Sequence, residues 1–225
     1  MQILYFILAG LIGYLCGSIP FGYIYVKLFK GEDLRKIGSG RTGGTNSFRA
    51  AGLGVGMLTS LSDVAKGAAA LLLARWLLGD TLDSGFQPWM EATAGVMSVV
   101  GHNWSIFLKF KGGAGTGPNV GWATAIWPWV LPIAFLVMGG LLIGVGIASV
   151  ASLSMAGVII VVFAIRYFLG IDPTLAYLTG GIVAGLIVTW ALRPNIKRLL
   201  AGEERLVGPR AKRRARQQAR ETGKG

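Results

Sequence analysis

The chain has 225 residues, of which 53% are hydrophobic and only 14% carry a charged side chain, and its formal net charge is +12. A typical soluble domain has about 25% charged residues, so this composition excludes an ordinary soluble domain and indicates a protein built for the lipid bilayer. The sequence has one cysteine, Cys16, which excludes an internal disulfide framework and a metal cluster held by thiolates.

Apolar stretches recur along the chain at lengths close to the ~20 residues that cross a ~30 Å hydrocarbon core. Pro128 and Pro132 favour a turn between the fourth stretch and the fifth. The first stretch has no basic segment before it and no small-residue cleavage site, so we expect a retained span. The sequence predicts an all-α polytopic membrane domain over residues 1–200, with about seven transmembrane helices, and a basic tail over 201–225. The expected spans are 3–27, 52–78, 88–108, 116–131, 132–148, 152–169 and 174–192.

Lysine and arginine concentrate on one side of this topology. Loop 27–49 has six, loop 109–118 has two and tail 193–225 has eleven, which makes nineteen of the 22 in the chain. Basic loops stay on the cytoplasmic side of a plasma (inner) membrane, so we expect the N-terminus outside and the tail in the cytoplasm. For the tail we expect a solvated segment that touches anionic lipid headgroups, and nothing in it requires a nucleic-acid partner.

The first basic loop, LFKGEDLRKIGSGRTGGTNSFRA (28–50), combines glycines with hydroxyl, amide and guanidinium donors. Backbone amides that converge beside arginine side chains are what a phosphate dianion requires, and a helix that begins just after the loop would add to this. An ordinary flexible loop is the alternative. The residues expected to bind an anion here are Gly38, Ser39, Gly40, Arg41, Thr45, Asn46 and Arg49.

A second glycine-rich basic loop, KFKGGAGTGPN (109–119), falls on the same predicted face. Its glycines expose backbone amides close to lysine side chains, as the first loop does with arginines. Two such loops on one face predict a binding site for an anionic ligand. The candidates in this loop are Lys111, Gly112, Gly113 and Gly115.

Several polar residues fall inside or at the ends of the predicted spans. Asp63 and Lys66 are three residues apart on one helical face, which favours a structural ion pair or a role in orienting the first loop. His102, the only histidine, is either a general base or a structural hydrogen-bonding group. Further polar candidates at the predicted cytoplasmic level are Ser149, Ser152 and Asn195.

Some catalytic patterns are missing from the sequence. An acyltransferase of the His-x4-Asp type would need an aspartate five positions after His102, where this chain has Phe107. There is no Gly-x-Ser-x-Gly nucleophile elbow. The sequence also has no carboxylate set for a pair of metal ions, although Glu32 and Asp33 of the first loop remain conceivable ligands, and we expect no metal. Nothing in the sequence indicates a cofactor.

Five stretches that cover nearly the whole chain carry a family resemblance. They are GSIPFGYI (17–24), DLRKIGSGRTGGTNSFRAAG (33–52), DVAKG (63–67), GHNWSIFLKFKGGAGT (101–116) and RPNIKRLLAGEE (193–204). With these motifs in this order, the chain resembles the bacterial acyl-phosphate:glycerol-3-phosphate acyltransferases, integral membrane enzymes of phospholipid synthesis. The resemblance implies seven spans, an active site on the cytoplasmic face, and glycerol 3-phosphate and acyl phosphate as substrates.

The resemblance also implies a reaction and roles for residues. The family transfers an acyl group from acyl phosphate to the sn-1 hydroxyl of glycerol 3-phosphate, which gives lysophosphatidate and phosphate without coenzyme A or metal. It implies phosphate binding by the first and second motifs and by Ser149 or Ser152, between which spacing does not choose. The residues that the resemblance makes catalytic are Ser39, Arg49 and Asn195.

This chain departs from the family pattern in each of the three motifs. Arg41 stands where the first motif has asparagine, Ala114 where the second has lysine, and Leu192 where the third has histidine. We hypothesise that Arg41 supplies the cation that Ala114 lacks, because it lies in the neighbouring phosphate loop. Two alternatives stay open at this point. One is a catalytically degenerate relative that binds the ligands or a partner, and the other is a transporter of a small phosphorylated solute.

Overall fold

The computed structural model describes residues 2–79, 82–172 and 174–221. The fold is all-α, as predicted, and within these ranges a single antiparallel bridge between Ile147 and Leu206 is the only β pairing. Short 3-10 helices, Leu34–Lys36 and Ile106–Leu108, lie in the two glycine-rich regions. The α-helices are α1 (Gln2–Ser18), α2 (Phe21–Lys30), α3 (Gly44–Leu78), α4 (Gln87–Asn103), α5 (Thr116–Ile126), α6 (Val130–Gly144), α7 (Ala148–Phe168), α8 (Leu175–Leu200) and α9 (Gly208–Glu221).

Every predicted span coincides with helical structure, and α1 and α2 share the first span. Among the residues that the structure describes, four segments are long and apolar enough to cross a membrane: Gln2–Lys30, Gly44–Leu78, Ala148–Phe168 and Leu175–Leu200. The apolar helix α6 has 15 residues and α5 has 11. At ~1.5 Å per residue, α5 reaches only about half of a ~30 Å core. The membrane-type helical architecture is therefore confirmed, and the number of crossings stays a prediction.

Several predicted boundaries were wrong, each for a local reason. Helix α3 begins at Gly44, eight residues before the predicted span, and kinks at Gly52, whose φ of 85° interrupts the helix. Thus Thr45 and the residues after it lie in the first turns of a helix rather than in a loop. Helix α5 ends before Pro128, whereas Pro132 lies in the first turn of α6, where proline is tolerated.

The later helices also extend further than predicted. Helix α7 begins at Ala148, so Ser149 and Ser152 lie on its first turns rather than in a connection. Helix α8 continues through Pro194 to Leu200. Proline has no N–H for the carbonyl four residues earlier, and Arg193 Nη1 donates to that carbonyl, Trp190 O, at 3.1 Å. Within the tail, residues Gly208–Glu221 form helix α9.

Close helix packing depends on small residues. A methyl group added at Gly13 or Gly17 of α1 would collide with the backbone of Ala94 or Ser98 in α4. Such close approach is how helices associate in lipid, where apolar burial gives little driving force. The main core is centred on Trp122, whose ring lies 5.1 Å from that of Phe163.

An ion pair with a buried carboxylate connects three helices at the end of the bundle away from the glycine-rich loops. Glu91 is 2% exposed and accepts from Arg75 Nε at 2.8 Å and from the Tyr177 hydroxyl at 2.8 Å. Removing any one donor from a buried carboxylate lowers the stability of the fold, because the charge is left without full compensation. This cluster therefore fixes α3, α4 and α8 relative to each other and leaves the other end of the bundle to form a site.

Candidate active site

The two glycine-rich loops meet at one end of the bundle. Arg41 of the first loop donates through Nη1 to the carbonyl oxygen of Gly113 in the second, at 3.4 Å. The same guanidinium donates through Nη2 to Ala191 O and to Asn195 Oδ1 of α8, the latter at 2.9 Å. One side chain therefore ties together the two loops and the end of α8, and the predicted convergence of the loops is confirmed.

A cavity of about 390 Å³ lies beside these contacts. At its polar end it is lined by ten of the residues predicted from sequence. Much of the rest of its wall is apolar and includes Leu61, Leu131, Phe135 and Met138. The cavity thus has a cationic, hydrogen-bonding end and an apolar end. The ten predicted residues that line it are Ser39, Arg41, Thr45, Asn46, Arg49, His102, Gly115, Ser149, Ser152 and Asn195.

Three helices begin at the cavity. Gly44 of α3, Thr116 of α5 and Ala148 of α7 all line it, and each is the first residue of its helix. The first turn of a helix leaves N–H groups unpaired and carries a partial positive charge, so helix N-termini bind anions. Three of them at one cavity make its polar end electropositive in addition to its arginines.

Asn46 holds the first loop in shape. Its side chain is buried, its Oδ1 accepts from Ser39 N at 3.0 Å, and its Nδ2 donates to Ile37 O and Arg41 O, both at 2.9 Å. These contacts use the polar atoms of the amide within the loop. Asn46 therefore positions the Ser39 and Arg41 backbone, and this role explains why an asparagine is needed in the first turn of α3.

A chain of hydrogen bonds orients Arg41. The Asn195 amide accepts from Arg41 through Oδ1 and donates through Nδ2 to Glu204 Oε1 at 2.8 Å, and Glu204 Oε2 accepts from Arg198 Nε at 3.0 Å. Burial lowers the pKa of the Arg41 guanidinium, and the nearby charge of Arg198 lowers it further. Because a guanidinium ordinarily titrates far above neutral pH, Arg41 stays charged at neutral pH.

Arg41 reaches the position where the cation of the second motif is missing. The Gly113 carbonyl that it contacts belongs to the peptide bond that leads to Ala114, and Ala114 itself lines the cavity. The Arg41 guanidinium thus lies beside Ala114, the position where the family has a lysine. This geometry is what the compensation hypothesis for Arg41 requires.

Asp63, Lys66 and His102 form a buried cluster below the second loop. The predicted ion pair forms, with Lys66 Nζ 2.7 Å from Asp63 Oδ1, and the same Nζ lies 2.9 Å from His102 Nδ1. His102 O accepts from Gly113 N at 3.0 Å, and the ring Nε2 packs against the Gly113 backbone. Contacts on both sides of the imidazole favour a structural role for His102, in which it supports the second loop.

Two buried hydroxyl groups at the cavity have no hydrogen-bond partner among the described residues, Ser149 Oγ and Thr116 Oγ1. A buried donor without a partner costs free energy, so each is available for a ligand. Ser149 is 2% exposed, whereas Ser152 is half-buried, which distinguishes two serines that spacing could not. Arg49 also lines the cavity, and within the described ranges its guanidinium makes no hydrogen bond or ion pair.

Comparison with known proteins assigns the fold and the loops to a family. A family model described as glycerol-3-phosphate acyltransferase matches residues 7–202. The chain belongs to this family. A glycerol-3-phosphate acyltransferase of Rubrobacter xylanophilus is 39% identical over 205 residues, which cover 91% of this chain and 96% of that relative. The family resemblance drawn from the motifs is thereby confirmed.

Solved structures of an acyltransferase have the same fold. Both are crystal structures of PlsY (YgiH), described as an integral membrane glycerol 3-phosphate acyltransferase. Its glycerol 3-phosphate form has a TM-score of 0.74 and 33% identity, and covers 90% of this chain and 96% of that one. Its lysophosphatidic acid form has a TM-score of 0.73 and 32% identity, and covers 90% and 95%.

Not every residue that the acyltransferase motifs nominated reaches the cavity. Lys111 is exposed and lies outside the lining, because the chain turns sharply through Lys109 and Phe110, both with positive φ. Gly112 and Gly113 pack against His102 instead, where a methyl group would collide. The remaining two, Gly38 and Gly40, have φ values of 54° and 71° and shape the first loop without lining the cavity.

Sequence reasoning missed three residues of this acyltransferase site. Thr116 is the last residue of the fourth motif stretch and the first residue of α5, directly after Gly115. A threonine that follows glycine at the start of an apolar stretch is a helix-start signal, so this residue could have been found from the sequence. Glu204 and Arg205 also line the cavity, and Arg205 Nη1 donates to Gly38 O at 2.6 Å. The Arg205 contact joins positions 167 residues apart, and Glu204 is placed by Asn195 and Arg198 of α8, so a basic tail sequence reveals neither role.

Proposed function

We propose that this chain transfers the acyl group of an acyl phosphate to the sn-1 hydroxyl of glycerol 3-phosphate and releases lysophosphatidate and phosphate. The observation that carries the proposal is one cavity with two unlike ends. Its polar end combines three helix N-termini with Arg41 and Arg49, and its other end is apolar. Two phosphates and an acyl chain have this distribution of charge. The relative solved in glycerol 3-phosphate and lysophosphatidic acid forms supports the same substrate and product.

The reaction needs no acyl-enzyme intermediate, because acyl phosphate is already activated. The sn-1 oxygen attacks the acyl carbonyl carbon, the new ester C–O bond forms, and the bond from that carbon to the phosphate oxygen breaks. The hydroxyl proton passes to a substrate phosphate oxygen, and phosphate leaves. The protein then contributes mainly positioning and electrostatic stabilisation of the leaving phosphate.

The site residues divide these tasks between them. Arg41 and Arg49 supply charge to the phosphates, and the free hydroxyls of Ser149 and Thr116 supply uncharged donors. Ser39 lines the same polar end and presents a further hydroxyl. Asn195 does not need to touch a reacting atom, since it orients Arg41. The roles of Arg49, Ser149 and Thr116 follow from polar groups that have no partner among the described residues, whereas those of Arg41 and Asn195 follow from the contacts that place them.

His102 is assigned a positioning role in this mechanism. Its ring contacts Lys66 on one side and the second loop on the other, so it holds the Gly113 carbonyl that Arg41 binds. A phosphate oxygen of the substrate takes the role of the base. The reaction therefore tolerates Leu192 at the position where the family has its motif histidine.

We also propose the topology that the charge pattern predicts. The N-terminus lies outside, seven segments cross the plasma membrane, and the cavity and the basic tail face the cytoplasm. Soluble glycerol 3-phosphate would enter from the cytoplasm, and the acyl tail would enter from the bilayer through the apolar wall between α3 and α6.

The test is acyl transfer by the purified protein. Acyl phosphate and labelled glycerol 3-phosphate are supplied in detergent, and lysophosphatidate and inorganic phosphate are measured together. We expect the two products in equal amounts, with acyl-coenzyme A inactive as donor. Arg49→Ala, which removes the unpaired guanidinium, should lose most of the activity. Ligand binding without product would instead identify a degenerate relative, and flux of glycerol 3-phosphate into liposomes would identify a transporter.

A further inference from the structure

Helix α9 is a strongly basic element that lies beyond the region shared with the family model, which ends at residue 202. Its sequence, GPRAKRRARQQARE, has six lysine and arginine residues and one glutamate. The exposed side chains include Arg213, Arg214, Arg216 and Arg220. Among the side chains that the structure describes, none of these four has an acidic partner. The helix therefore presents unneutralised positive charge to its surroundings.

The composition of α9 limits what it can bind. Apart from glycine and proline, its only apolar residues are alanines, so it has no face that could enter hydrocarbon. Arginine forks bind phosphate and carboxylate groups in a bidentate manner. The partner is therefore a polar, multiply anionic surface rather than an apolar groove.

The start of α9 is fixed at the end of the apolar helix α6. Ile147 and Leu206 form the β bridge, and Val207 N donates to Gly146 O at 2.8 Å. Arg210 Nη1 donates to Val145 O at 3.0 Å. Since α6 is strongly apolar, this attachment holds the basic helix at the level where the chain leaves the bilayer. Phosphate headgroups are the dense anionic surface at that level.

The segment before α9 forms part of the cavity wall. We call residues 203–207 the strap. Within it, Glu204 binds Asn195 and Arg198, and Arg205 donates to Gly38 O of the first loop. The strap thus runs from α8, past both the first loop and the turn before α7, directly into α9. A force that holds α9 in place also holds these cavity contacts.

We propose that α9 docks on anionic phospholipid headgroups and that this docking stabilises the strap across the cavity. Any ligand that binds one arrangement of a protein shifts the equilibrium toward that arrangement. Anionic lipid would then tighten the binding of glycerol 3-phosphate, because Glu204 orients Asn195 and Asn195 orients Arg41. The docking of α9 on lipid does not depend on the proposed function, whereas the effect on glycerol 3-phosphate binding rests on it.

The first test measures docking without turnover. The full chain is placed in nanodiscs of phosphatidylcholine alone or with phosphatidylglycerol, and amide hydrogen exchange is followed over residues 208–221. We expect exchange to slow by about tenfold or more in the anionic nanodiscs. Each arginine near a charged surface contributes about a fivefold factor, so Arg213→Gln/Arg214→Gln should weaken docking about 30-fold and remove most of the slowing.

A matched variant controls for net charge. Lys30→Gln/Lys36→Gln also removes two exposed cations from the same predicted face, but from outside α9 and the strap. In this variant, anionic nanodiscs should slow the amide exchange of α9 as much as they do in the wild type. Equal exchange of α9 in neutral and anionic nanodiscs would overturn the docking proposal. Slowing by added RNA in neutral nanodiscs, without slowing by anionic lipid, would overturn the choice of partner.

The second test measures the coupling to the site. With wild-type protein, KM for glycerol 3-phosphate should be lower in anionic nanodiscs, by no more than the factor found in exchange, because coupling is reciprocal. Arg213→Gln/Arg214→Gln should have the same KM in both lipids and an unchanged rate in neutral nanodiscs. A lipid-independent KM beside lipid-dependent exchange would disprove the coupling. A protein with no transfer activity in any lipid would disprove the proposed function while the exchange result still decides the docking.

Discussion

At the scale of single residues, Arg41 joins parts of the site that are far apart in the sequence. Its guanidinium donates to Gly113 O, Ala191 O and Asn195 Oδ1, which belong to two different parts of the chain. Loss of a charged contact of this kind costs about 1.5–3 kcal/mol, or roughly 10- to 200-fold in rate if it acts in the transition state. We predict a fall of that size in kcat/KM for acyl transfer by Arg41→Ala.

Two further variants make this prediction specific. Ala114→Lys in the Arg41→Ala background should recover part of the activity, because it returns a cation to the same place. Arg35→Ala is the control, since Arg35 belongs to the same loop but pairs with Asp33 at 2.7 Å outside the cavity lining. Full activity of Arg41→Ala would mean that Arg41 is not the compensating cation.

Replacing the two candidate serines of α7 with alanine should have different effects on kcat/KM in the acyl-transfer assay. Ser149 Oγ is buried at the cavity and has no partner among the described residues, whereas Ser152 is half-buried. A hydrogen bond to a charged group contributes about 1.5–3 kcal/mol, so Ser149→Ala should lower kcat/KM by roughly tenfold or more. We expect Ser152→Ala to stay within about threefold of wild type. The reverse order would assign the phosphate contact to Ser152.

Residue types were easier to predict than residue contacts. Ser39, Arg41 and Arg49 could be chosen from sequence because phosphate chemistry restricts which side chains are useful. Lys111 met the same chemical criterion and still points away, because the local turn decides its direction. Glu204 could not be chosen, since its role exists only through its contact with Asn195.

At the scale of helices, close packing of α1 on α4 depends on glycine. Gly17→Ala would push a methyl group into Ser98 O. Overpacking costs about 1–3 kcal/mol, which for a chain of this size lowers Tm by about 2–4 °C per kcal/mol. We predict this loss for Gly17→Ala in thermal unfolding of the detergent-solubilised protein.

The control for packing is another helical glycine. Gly157 of α7 is exposed and has open space where a methyl group would lie. Alanine favours the helix over glycine by up to about 1 kcal/mol, so Gly157→Ala should keep or raise Tm. A drop at Gly157→Ala equal to that at Gly17→Ala would mean that helix contact is not the cause.

Helix existence followed from apolar stretches, whereas helix ends did not. Residues 44–50 have too much glycine, serine and threonine for a helix by propensity, yet they form the start of α3. Contacts outside the segment explain this, since Asn46 bonds the loop before it and Gly56 packs against Phe48. Tertiary contacts of this kind override local preference and leave no periodic pattern in the sequence.

At the scale of the whole molecule, the proposed topology predicts which positions a water-soluble reagent can reach from each side. In a Cys16→Ser background, Lys36→Cys and Gln217→Cys should react with an impermeant maleimide only after the cells are opened. Gly85→Cys, in the exposed turn between α3 and α4, should react in intact cells. Labelling of Lys36→Cys and Gln217→Cys from opposite sides would contradict the even number of crossings that the proposed topology has between the first loop and the tail.

The large-scale organisation was the most predictable part of the protein. Composition gave the membrane class, and the distribution of lysine and arginine predicted that both glycine-rich loops lie together, as Arg41 and Gly113 now do. The ordered tail could not be anticipated in this way. Its first turn is held by backbone groups of Val145 and Gly146, and backbone hydrogen bonds carry no signature in side-chain composition.

The contact between Arg41 and Gly113 has a consequence for how this chain can be recombined with its relatives. By the family pattern, the cation of the second motif is carried by that motif itself, whereas by the compensation hypothesis Arg41 of the first motif supplies it here. A chimera that takes only the first motif from a relative would have no cation at this place, and one that takes only the second would have two in contact. By this hypothesis the two segments, about 70 positions apart in the sequence, depend on each other. A chimera with a relative should therefore exchange both segments or neither.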